Sequence, residues 1–433
     1  MDALARIGFG LFGLAVLIGI TWLFSNNRRR VNWKLVGTGL LLQIVLACFV
    51  LLTPWGASVF DAISSGFVKL LSFTTEGAKV VFGDFTRPDK FGFVFAFQVL
   101  PTIIFFASLM SVLYHLGLIQ KVVQLMAMAI TKVMPVSGAE TLSVCANAFV
   151  GQTEAPLVVK PYIARMTQSE LLTLMLGGMA TIAGGVLAAY VTMLGGNDPA
   201  QQAFFAKHLL TASIMAAPAT LVIAKVLMPE TEHSDTMGKV EVKVERTTSN
   251  VIDAAAAGAS DGLKLALNVG AMLLAFTALI ALLNAPLIWL GEVTGLAEAL
   301  GQPTSLANLL GKLLAPLAWV IGVPWQDAAA VGSLIGTKVV INEFLAYQTL
   351  SQINAGQVPG VAPLTAQGQL VATYALCGFA NFSSIAIQIG GIGGLAPERR
   401  QDLARLGLKA VFGGTIATMM TATIAGVLYS LAG

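Results

Sequence analysis

Long apolar runs dominate the chain, and their lengths predict helices that cross a membrane. A helix that crosses the hydrocarbon core of a bilayer needs about 20 mostly apolar residues. Eight runs meet this requirement with few polar residues inside them. We therefore predict eight transmembrane helices at Leu4–Phe24, Leu35–Thr53, Phe93–Tyr114, Leu171–Leu194, Ala203–Leu227, Gly262–Leu290, Leu370–Leu395 and Ala404–Leu431.

Other apolar segments lie between these runs and look too short or too interrupted to cross. They are Ala57–Val81, Leu118–Met134, Ala139–Tyr162, Leu306–Val323 and Ala328–Leu350. Two of them, Leu118–Met134 and Leu306–Val323, are amphipathic, which is typical of helices that lie along an interface. The glycine-rich run at 390–394 is expected to be a turn, because no strand or basic residue accompanies it as in a phosphate loop.

The second half of the chain repeats the order of elements in the first half. In each half an amphipathic stretch precedes an interrupted segment that holds one glutamate, Glu154 or Glu343, and a span rich in small residues follows. Aligning these spans places Gly178 near Gly378. Paired interrupted segments in corresponding positions mark the binding site of many transporters. The pattern predicts an inverted repeat.

We interpret each interrupted segment as a re-entrant hairpin, which enters the membrane and returns to the same side. Gly151 and Pro156 both weaken a helix and bound the first tip. The second tip contains Asn342 and Glu343. Irregular backbone at membrane depth is tolerated only against protein or a water-filled cavity. Two hairpins in inverted halves should enter from opposite sides and meet near the midplane.

Composition supports a membrane protein and disfavours several functions. The chain is 56% hydrophobic and 11% charged, whereas a soluble domain carries about 25% charged residues. The net charge of +3 implies no nucleic-acid partner. Three cysteines and three scattered histidines suggest no metal centre. No nucleophile motif indicates an enzyme, and a channel would need a continuous polar path.

Basic residues cluster in three loops and predict the orientation. The clusters are Arg28–Lys34, the charged loop from Glu230 to Arg246, and Arg399–Lys409. By the positive-inside rule these loops are cytoplasmic, so that eight spans place both termini on the periplasmic side.

The two tip glutamates are the main candidates for binding a substrate. A charged residue near the membrane centre costs about 2.5–3.5 kcal/mol on insertion scales, so each needs a compensating role. An ionised carboxylate only accepts hydrogen bonds, which suits substrate hydroxyl or N–H groups. The alternative is a structural ion pair, for which Lys338 is poorly spaced from Glu343 on a helix. Carboxylates at both tips would repel an anionic substrate.

Further polar residues lie near the interruptions. Asn381, Ser383 and Ser384 follow two small residues, where hydrogen bonding between helices is the alternative role. Neutral oxygens that suit a small alkali cation come from the side chains of Asn147 and Thr181 and the carbonyls of Val150 and Ile182.

Several motifs resemble the concentrative nucleoside transporters. They are Gly151–Pro156 (GQTEAP), Val340–Phe344 (VINEF), Cys377–Ala386 (CGFANFSSIA) and the Pro54–Gly56 turn. The match runs from Arg28 to Leu428, and several motifs in the right order are more specific than any one alone.

The resemblance implies sodium-coupled nucleoside import by a homotrimer in a bacterial inner membrane, with uridine-like substrates. In such proteins the first tip contacts the nucleobase, and the second tip and span seven hold the ribose. The implied substrate-binding residues here are Gln152, Thr153, Glu154, Glu343, Phe379, Asn381 and Ser384. The implied sodium ligands are Asn147, Val150, Thr181 and Ile182. No cofactor besides the coupling ion is implied.

The resemblance also implies a fixed scaffold and a moving transport domain, an arrangement called an elevator. The expected divisions are N-terminal scaffold helices at 1–117, a first repeat half at 118–228, a cytoplasmic linker at 229–260, scaffold span six at 261–290 and a second repeat half at 291–433. A proton-coupled nucleoside symporter and an elevator carrier for another small polar solute remain the alternatives.

Overall fold

The computed structural model describes residues 3–92, 94–196, 198–238, 248–300 and 303–432. Within these ranges the regular structure is helical, apart from one isolated β-bridge between Ser137 and Met237. The predicted all-α class is therefore confirmed. Phe93, the predicted first residue of span three, lies outside the described residues.

The helices follow one another in chain order as follows. The N-terminal part contains α1 (Ala3–Leu23), α2 (Trp33–Leu52), α3 (Pro54–Phe82), α4 (Pro88–Phe91), α5 (Phe95–Gln98), α6 (Leu100–His115) and α7 (Leu118–Val133). The next part contains α8 (Gly138–Asn147), α9 (Lys160–Ile163), α10 (Gln168–Ala180), α11 (Gly184–Gly195) and α12 (Pro199–Leu227). The last part contains α13 (Val251–Val293), α14 (Leu296–Leu300), α15 (Leu306–Val320), α16 (Trp325–Val340), α17 (Glu343–Asn354), α18 (Ala366–Leu376), α19 (Phe382–Leu395) and α20 (Arg400–Ala432).

Seven of the eight predicted spans have a counterpart that is long and apolar enough to cross a bilayer, counted over the described residues. The exception is Leu370–Leu395, which is divided into α18 and α19 by the irregular segment 377–381. The total of eight spans therefore stays a prediction, as does re-entry of the two interrupted segments. The first of these segments leaves its tip through a 3₁₀ turn, Ala155–Val159.

Helix α3 is not among the helices apolar enough to cross a bilayer, as expected, whereas the run 390–394, expected to be a turn, is helical. The segment Ala57–Val81 belongs to the continuous 29-residue helix α3. The side chain of Thr53 caps α3, and Pro54 occupies its first turn. The N–H groups of a first turn have no partner within the helix, so the N–H that proline lacks costs no hydrogen bond. The Pro54–Gly56 motif is thus the start of a helix. The run 390–394 lies inside α19, where a Cβ on Gly391 would come within 2.8 Å of the Thr153 methyl carbon.

Helix α13 starts earlier than the sequence predicts. The side chain of Asn250 accepts hydrogen bonds from the backbone N–H groups of Ile252 and Asp253, which fixes the first turn. Residues 251–260 therefore belong to a 43-residue helix, and the predicted linker at 229–260 ends near residue 250. Residues 239–247 of that linker lie outside the described residues.

Helix α6 packs closely against the N-terminal half of α13, and the two form a two-helix wall. Gly262 permits this approach, because a Cβ there would lie 2.8 Å from the Cβ of Ala107. The hydroxyl of Ser108 also donates a hydrogen bond to the carbonyl oxygen of Ala255 at 2.9 Å. We refer to α6 and α13 together as the wall.

The first interrupted segment is fastened at both ends by charged groups. At its start, Glu140 completes a capping box on α8 and pairs with Lys225 of α12, with nitrogen and oxygen 2.8 Å apart. At its end, the Arg399 guanidinium donates to the carbonyl oxygens of Ile163, Ala164 and Met166 at 3.2, 3.1 and 2.6 Å. These bonds hold the segment against α12 and the start of α20.

Candidate functional site

The helix interruptions of both halves meet at one place. They fall at 148–154, 181–183, 341–342 and 377–381. Backbone hydrogen bonds join three of them: the N–H of Gly184 donates to the carbonyl of Phe149 at 3.1 Å, and that of Phe379 donates to the carbonyl of Thr181 at 3.3 Å. The fourth is joined by the Asn381 amide, which donates to the carboxylate of Glu343 at 2.8 Å. The candidate residues on these four interruptions are therefore neighbours in space.

Glu343 is the first residue of α17, and two donors hold its carboxylate. The Tyr190 hydroxyl donates to Oε1 at 2.9 Å, and the Asn381 amide donates to Oε2 at 2.8 Å. Glu343 is only 5% exposed, so both bonds are buried. Each carboxylate oxygen can accept more than one hydrogen bond, so lone pairs remain for a ligand hydroxyl.

Asn381 has its side-chain orientation fixed by its position at the start of α19. Its Oδ1 accepts from the backbone N–H of Ser384 at 2.9 Å and from the hydroxyl of Ser383 at 2.7 Å. Because the N–H group can only donate, the oxygen must face α19 and the Nδ2 must face Glu343. The second tip and α19 therefore form one hydrogen-bonded unit.

Lys338 forms no ion pair with Glu343. Its ammonium group is fully buried and donates to the carbonyl oxygen of Ala375 and the hydroxyl of Thr418, both at 2.9 Å. The structure therefore disfavours the ion pair as the reason for a glutamate at this position.

The first tip holds its polar residues differently. Gln152 is 8% exposed, and its Nε2 donates to the hydroxyl of Ser384 at 3.2 Å. Glu154 is exposed, and its carboxylate lies over Gly151, where a Cβ would collide with Oε2. The absence of a side chain at Gly151 therefore leaves room for the Glu154 carboxylate in this position.

A cavity of about 420 Å³ separates the two tips from the wall. On the wall side, Tyr114, Asp261 and Met272 are among the residues that line it. All seven residues expected to bind substrate line this cavity: Gln152, Thr153, Glu154, Glu343, Phe379, Asn381 and Ser384. The structure brings these residues together, while their individual roles stay predictions.

The residues expected to bind sodium lie beside the first tip. Asn147 is buried at the end of α8, and its Oδ1 has no hydrogen-bond partner among the described residues. The Thr181 hydroxyl donates to the carbonyl of Gly177 at 2.9 Å, and the Asn147 amide packs against that same glycine. Val150 lines the cavity, and Ile182 is buried. A buried, unpartnered acceptor fits a hard cation, which takes oxygen ligands.

Sequence reasoning missed three residues of this region: Tyr190, Gln388 and Asp261. Tyr190 is the only tyrosine of predicted span four, and Gln388 follows Asn381 by two helical turns, so both offered a signal. Asp261 adjoined the predicted start of span six and resembled a helix-terminal charge. Because α13 begins at Val251, Asp261 instead lies within the helix and lines the cavity.

An all-helical fold with apolar spans, and with a cavity between broken helices into which carboxylate and amide groups project, defines a multi-spanning membrane transporter. Models of the Na+ dependent nucleoside transporter family match residues 12–85 (N-terminus) and 208–426 (C-terminus). A model described as nucleoside recognition matches residues 96–197. The chain belongs to the concentrative nucleoside transporter family, and it is a transporter rather than an enzyme.

Individual relatives agree with this assignment. The nucleoside permease NupC of Helicobacter pylori is 40% identical over 428 residues, which cover 98% of each chain. The sodium/nucleoside cotransporter 1 of Mus musculus is 40% identical over 426 residues, which cover 96% of this chain and 63% of the relative.

Solved structures of the family represent opposite orientations of the transporter. CNTnw in an inward-facing, substrate-bound state is 43% identical, with a TM-score of 0.87 over 99% of each chain. A CNTnw variant in an outward-facing state is 42% identical, with a TM-score of 0.88 over 98% of each chain. The fold of this chain is therefore one that is known in both inward- and outward-facing states.

Proposed function

We propose that this protein imports nucleosides by symport with sodium. The observation that carries the proposal is the cavity itself, where carboxylate and amide groups of two tips face one space and an unpartnered neutral oxygen lies beside it. Carboxylates suit the hydroxyl donors of a sugar, and neutral oxygens suit a small cation. The family description, Na+ dependent nucleoside transporter, supports the same pair of ligands.

In this proposal the ribose lies at the second tip. Its hydroxyl groups donate to Glu343, and Asn381 and Ser384 complete the polar contacts. A ribose diol offers two donors, whereas an ionised carboxylate offers only acceptors, so the pairing is complementary. Tyr190 and Asn381 already orient the carboxylate, which reduces the entropy lost when the sugar binds.

The nucleobase lies at the first tip. Gln152, Thr153 and Glu154 contact its polar edge, and the ring of Phe379 packs on its face. Aromatic rings bury large apolar areas and prefer offset or edge-on contacts, which suits a planar base. In this proposal the first tip therefore binds the nucleobase and the second tip binds the ribose.

Sodium binds at Asn147, Thr181 and the carbonyls of Val150 and Ile182. The carbonyl of Thr181 accepts the N–H of Phe379, so that the interruption of the cation site is hydrogen-bonded to the interruption of the aromatic contact. Sodium bound there orders this interruption and so favours nucleoside binding, which gives thermodynamic coupling of the two ligands.

We further propose that the transporter works as an elevator. The two tips and the helices that hold them, α10–α12 and α18–α20, move as one body, because their buried bonds to each other must be kept to preserve the site. The wall and the other N-terminal helices stay fixed as the scaffold, which retains the division into scaffold and repeat halves expected from the sequence.

The proposed setting is a bacterial inner membrane, with both termini periplasmic, and the proposed assembly is a homotrimer. The exposure of α13 supports a contact with lipid or with another subunit, because only 11% of its most apolar 18-residue stretch is buried within one chain. Native mass spectrometry of the purified transporter would report the mass of three chains if the trimer forms.

Uptake of radiolabelled uridine into proteoliposomes tests the proposed function. An inward sodium gradient should drive accumulation, and equal sodium on both sides should allow only equilibration. If a proton gradient drives accumulation and a sodium gradient does not, the proton-coupled alternative replaces this proposal. If uridine does not enter under either gradient, the carrier serves another solute.

Cysteine accessibility tests the elevator. Leu157, which lines the cavity and is 40% exposed, is replaced by cysteine after alanine replaces the native Cys48, Cys145 and Cys377. Its labelling by a membrane-impermeant thiol reagent should change when sodium and uridine are added. A cysteine at Phe91, which is 51% exposed before α5, is the scaffold control and should label equally in all conditions. Ligand-independent labelling at both positions would favour local gating.

A further inference from the structure

Gln388 is a buried amide on α19 that no proposed role uses. It is fully buried, and its Nε2 donates two hydrogen bonds, to the carbonyl of Met175 at 2.9 Å and to Oε1 of Gln152 at 3.0 Å. Its own Oε1 is buried without a partner among the described residues. A buried oxygen without a hydrogen-bond partner is unfavourable, since buried polar groups are normally satisfied. An amide at this position therefore needs a functional reason.

The backbone fixes the direction in which Gln388 points. The Met175 carbonyl can only accept, so the side of Gln388 that faces it must be the NH₂ group. The opposite orientation would bring two acceptor oxygens to about the same 2.9 Å separation. The second hydrogen of that NH₂ group then requires an acceptor on Gln152, which is Oε1.

This chain of bonds also fixes Gln152. With Oε1 bonded to Gln388, the Nε2 of Gln152 is left for the Ser384 hydroxyl at 3.2 Å and for the cavity. Gln152 therefore presents N–H donors to a ligand and holds its acceptor away. Without Gln388, the amide of Gln152 could rotate and offer either group.

A glycine of α10 makes room for this arrangement. A Cβ on Gly178 would lie 2.7 Å from Nε2 of Gln388 and 2.8 Å from Cβ of Gln152. Any larger residue would push the two side chains from their places. Gly178 thus belongs to the same arrangement as Gln152 and Gln388.

We propose that Gln388 is a positioning residue that sets the hydrogen-bond polarity of Gln152 and thereby the choice of nucleobase. The inference rests on the proposed function, in which Gln152 contacts the base. A fixed donor favours a base that offers a carbonyl oxygen at the contacted edge over one that offers an amino group. Uridine and cytidine differ in this way, because the former has a 4-oxo group and the latter a 4-amino group.

The first experiment measures binding of uridine, cytidine and 3′-deoxyuridine to the purified full chain by isothermal titration calorimetry. The parent should bind uridine more tightly than cytidine. In Gln388→Met, which keeps the volume but removes the donors, this preference should shrink by about fivefold or more, in line with one lost hydrogen bond. The ratio between uridine and 3′-deoxyuridine should change much less, because Glu343 and Asn381 are held by hydrogen bonds that involve neither Gln152 nor Gln388. The replacement Ile389→Met on the same helix is the control.

A double-mutant cycle tests whether Gln388 acts through Gln152. Gln152→Ala alone should reduce base preference, and adding Gln388→Met to it should change the preference no further. If Gln388→Met does not give a folded protein, Gly178→Ala displaces the same pair and should shrink the preference equally.

Three outcomes would overturn the inference: a parent without preference for uridine, an unchanged preference in Gln388→Met, or independent and additive effects in the cycle. A parent that binds no nucleoside would instead contradict the proposed function. Whether the parent binds any nucleoside therefore distinguishes failure of the proposed function from failure of this inference.

Discussion

The two tips carry the same chemical group in opposite surroundings. Glu343 is buried and receives hydrogen bonds from Tyr190 and Asn381. Glu154 is exposed to the cavity, and its carboxylate lies over a glycine. The first tip is also irregular over 148–154, whereas the second interrupts its helices over only two residues.

This difference shows how one cavity can treat two parts of a ligand differently. A buried carboxylate that is oriented beforehand forms stronger hydrogen bonds than one in contact with water, because the surrounding dielectric is lower. The second tip is therefore suited to hold an invariant part of a substrate, and the first tip to contact a part that varies. Nucleosides share a ribose and differ in the base.

The largest effect is expected when the buried carboxylate is changed. Glu343→Gln should weaken uridine binding about ten- to over a hundred-fold, since a hydrogen bond to a charged group contributes roughly 1.5–3 kcal/mol. The matched change Glu154→Gln should weaken binding only about two- to tenfold, as for an ordinary hydrogen bond of roughly 0.5–1.5 kcal/mol. Calorimetry with both variants measures the difference. A greater loss in Glu154→Gln would reverse the comparison.

A second, smaller effect separates orientation of the carboxylate from capping of the helix. Asn342 and Asn381 each cap the helix after an interruption, so replacing either by alanine should cost about 1 kcal/mol of stability. Only Asn381→Ala also removes a hydrogen bond to Glu343. It should therefore lower uridine affinity more than Asn342→Ala at similar melting temperature. Equal affinities would show that Asn381 serves only as a cap.

A third effect concerns the residues proposed to bind sodium beside the first tip. Asn147→Ala and Thr181→Ala should each raise the sodium concentration for half-maximal uridine uptake several-fold, because each removes a neutral oxygen. Thr173→Ala is the matched control, since Thr173 also bonds its hydroxyl to a carbonyl one turn earlier in α10. Unchanged sodium dependence in both test variants would refute the assigned ligands.

The smallest change in uridine affinity is expected for a substitution on the wall. Asp261 lines the cavity, but it is exposed and pairs with Lys264 three residues away. Charges in such surroundings interact weakly, so Asp261→Asn should alter uridine affinity by less than about twofold. A loss as large as that of Glu154→Gln, in the same titration, would assign Asp261 to the substrate site.

The sequence alone indicated much of this architecture. Apolar runs of about 20 residues located seven spans that the structure contains, because a bilayer imposes that length on a helix. Gly151 and Pro156 marked the first interruption through their own backbone preferences. The motifs that contain Glu154, Glu343 and Asn381 identified the family. These are local properties that a few neighbouring residues determine.

Local pattern was misleading where long-range packing compensates for a weak helix former. The glycines at 390–394 predicted a turn, yet they lie in α19, where the absence of a side chain at Gly391 lets Thr153 pack closely.

The partners of the site residues were decided only by the tertiary structure. Tyr190 and Glu343 are 153 positions apart, and Gln152 and Gln388 are 236 apart, so no local pattern could pair them. The sequence determined that buried carboxylates and amides need partners, because unpaired polar groups are costly in an apolar interior. Which groups meet that need depends on where distant helices are interrupted and how closely glycines such as Gly178 let them approach.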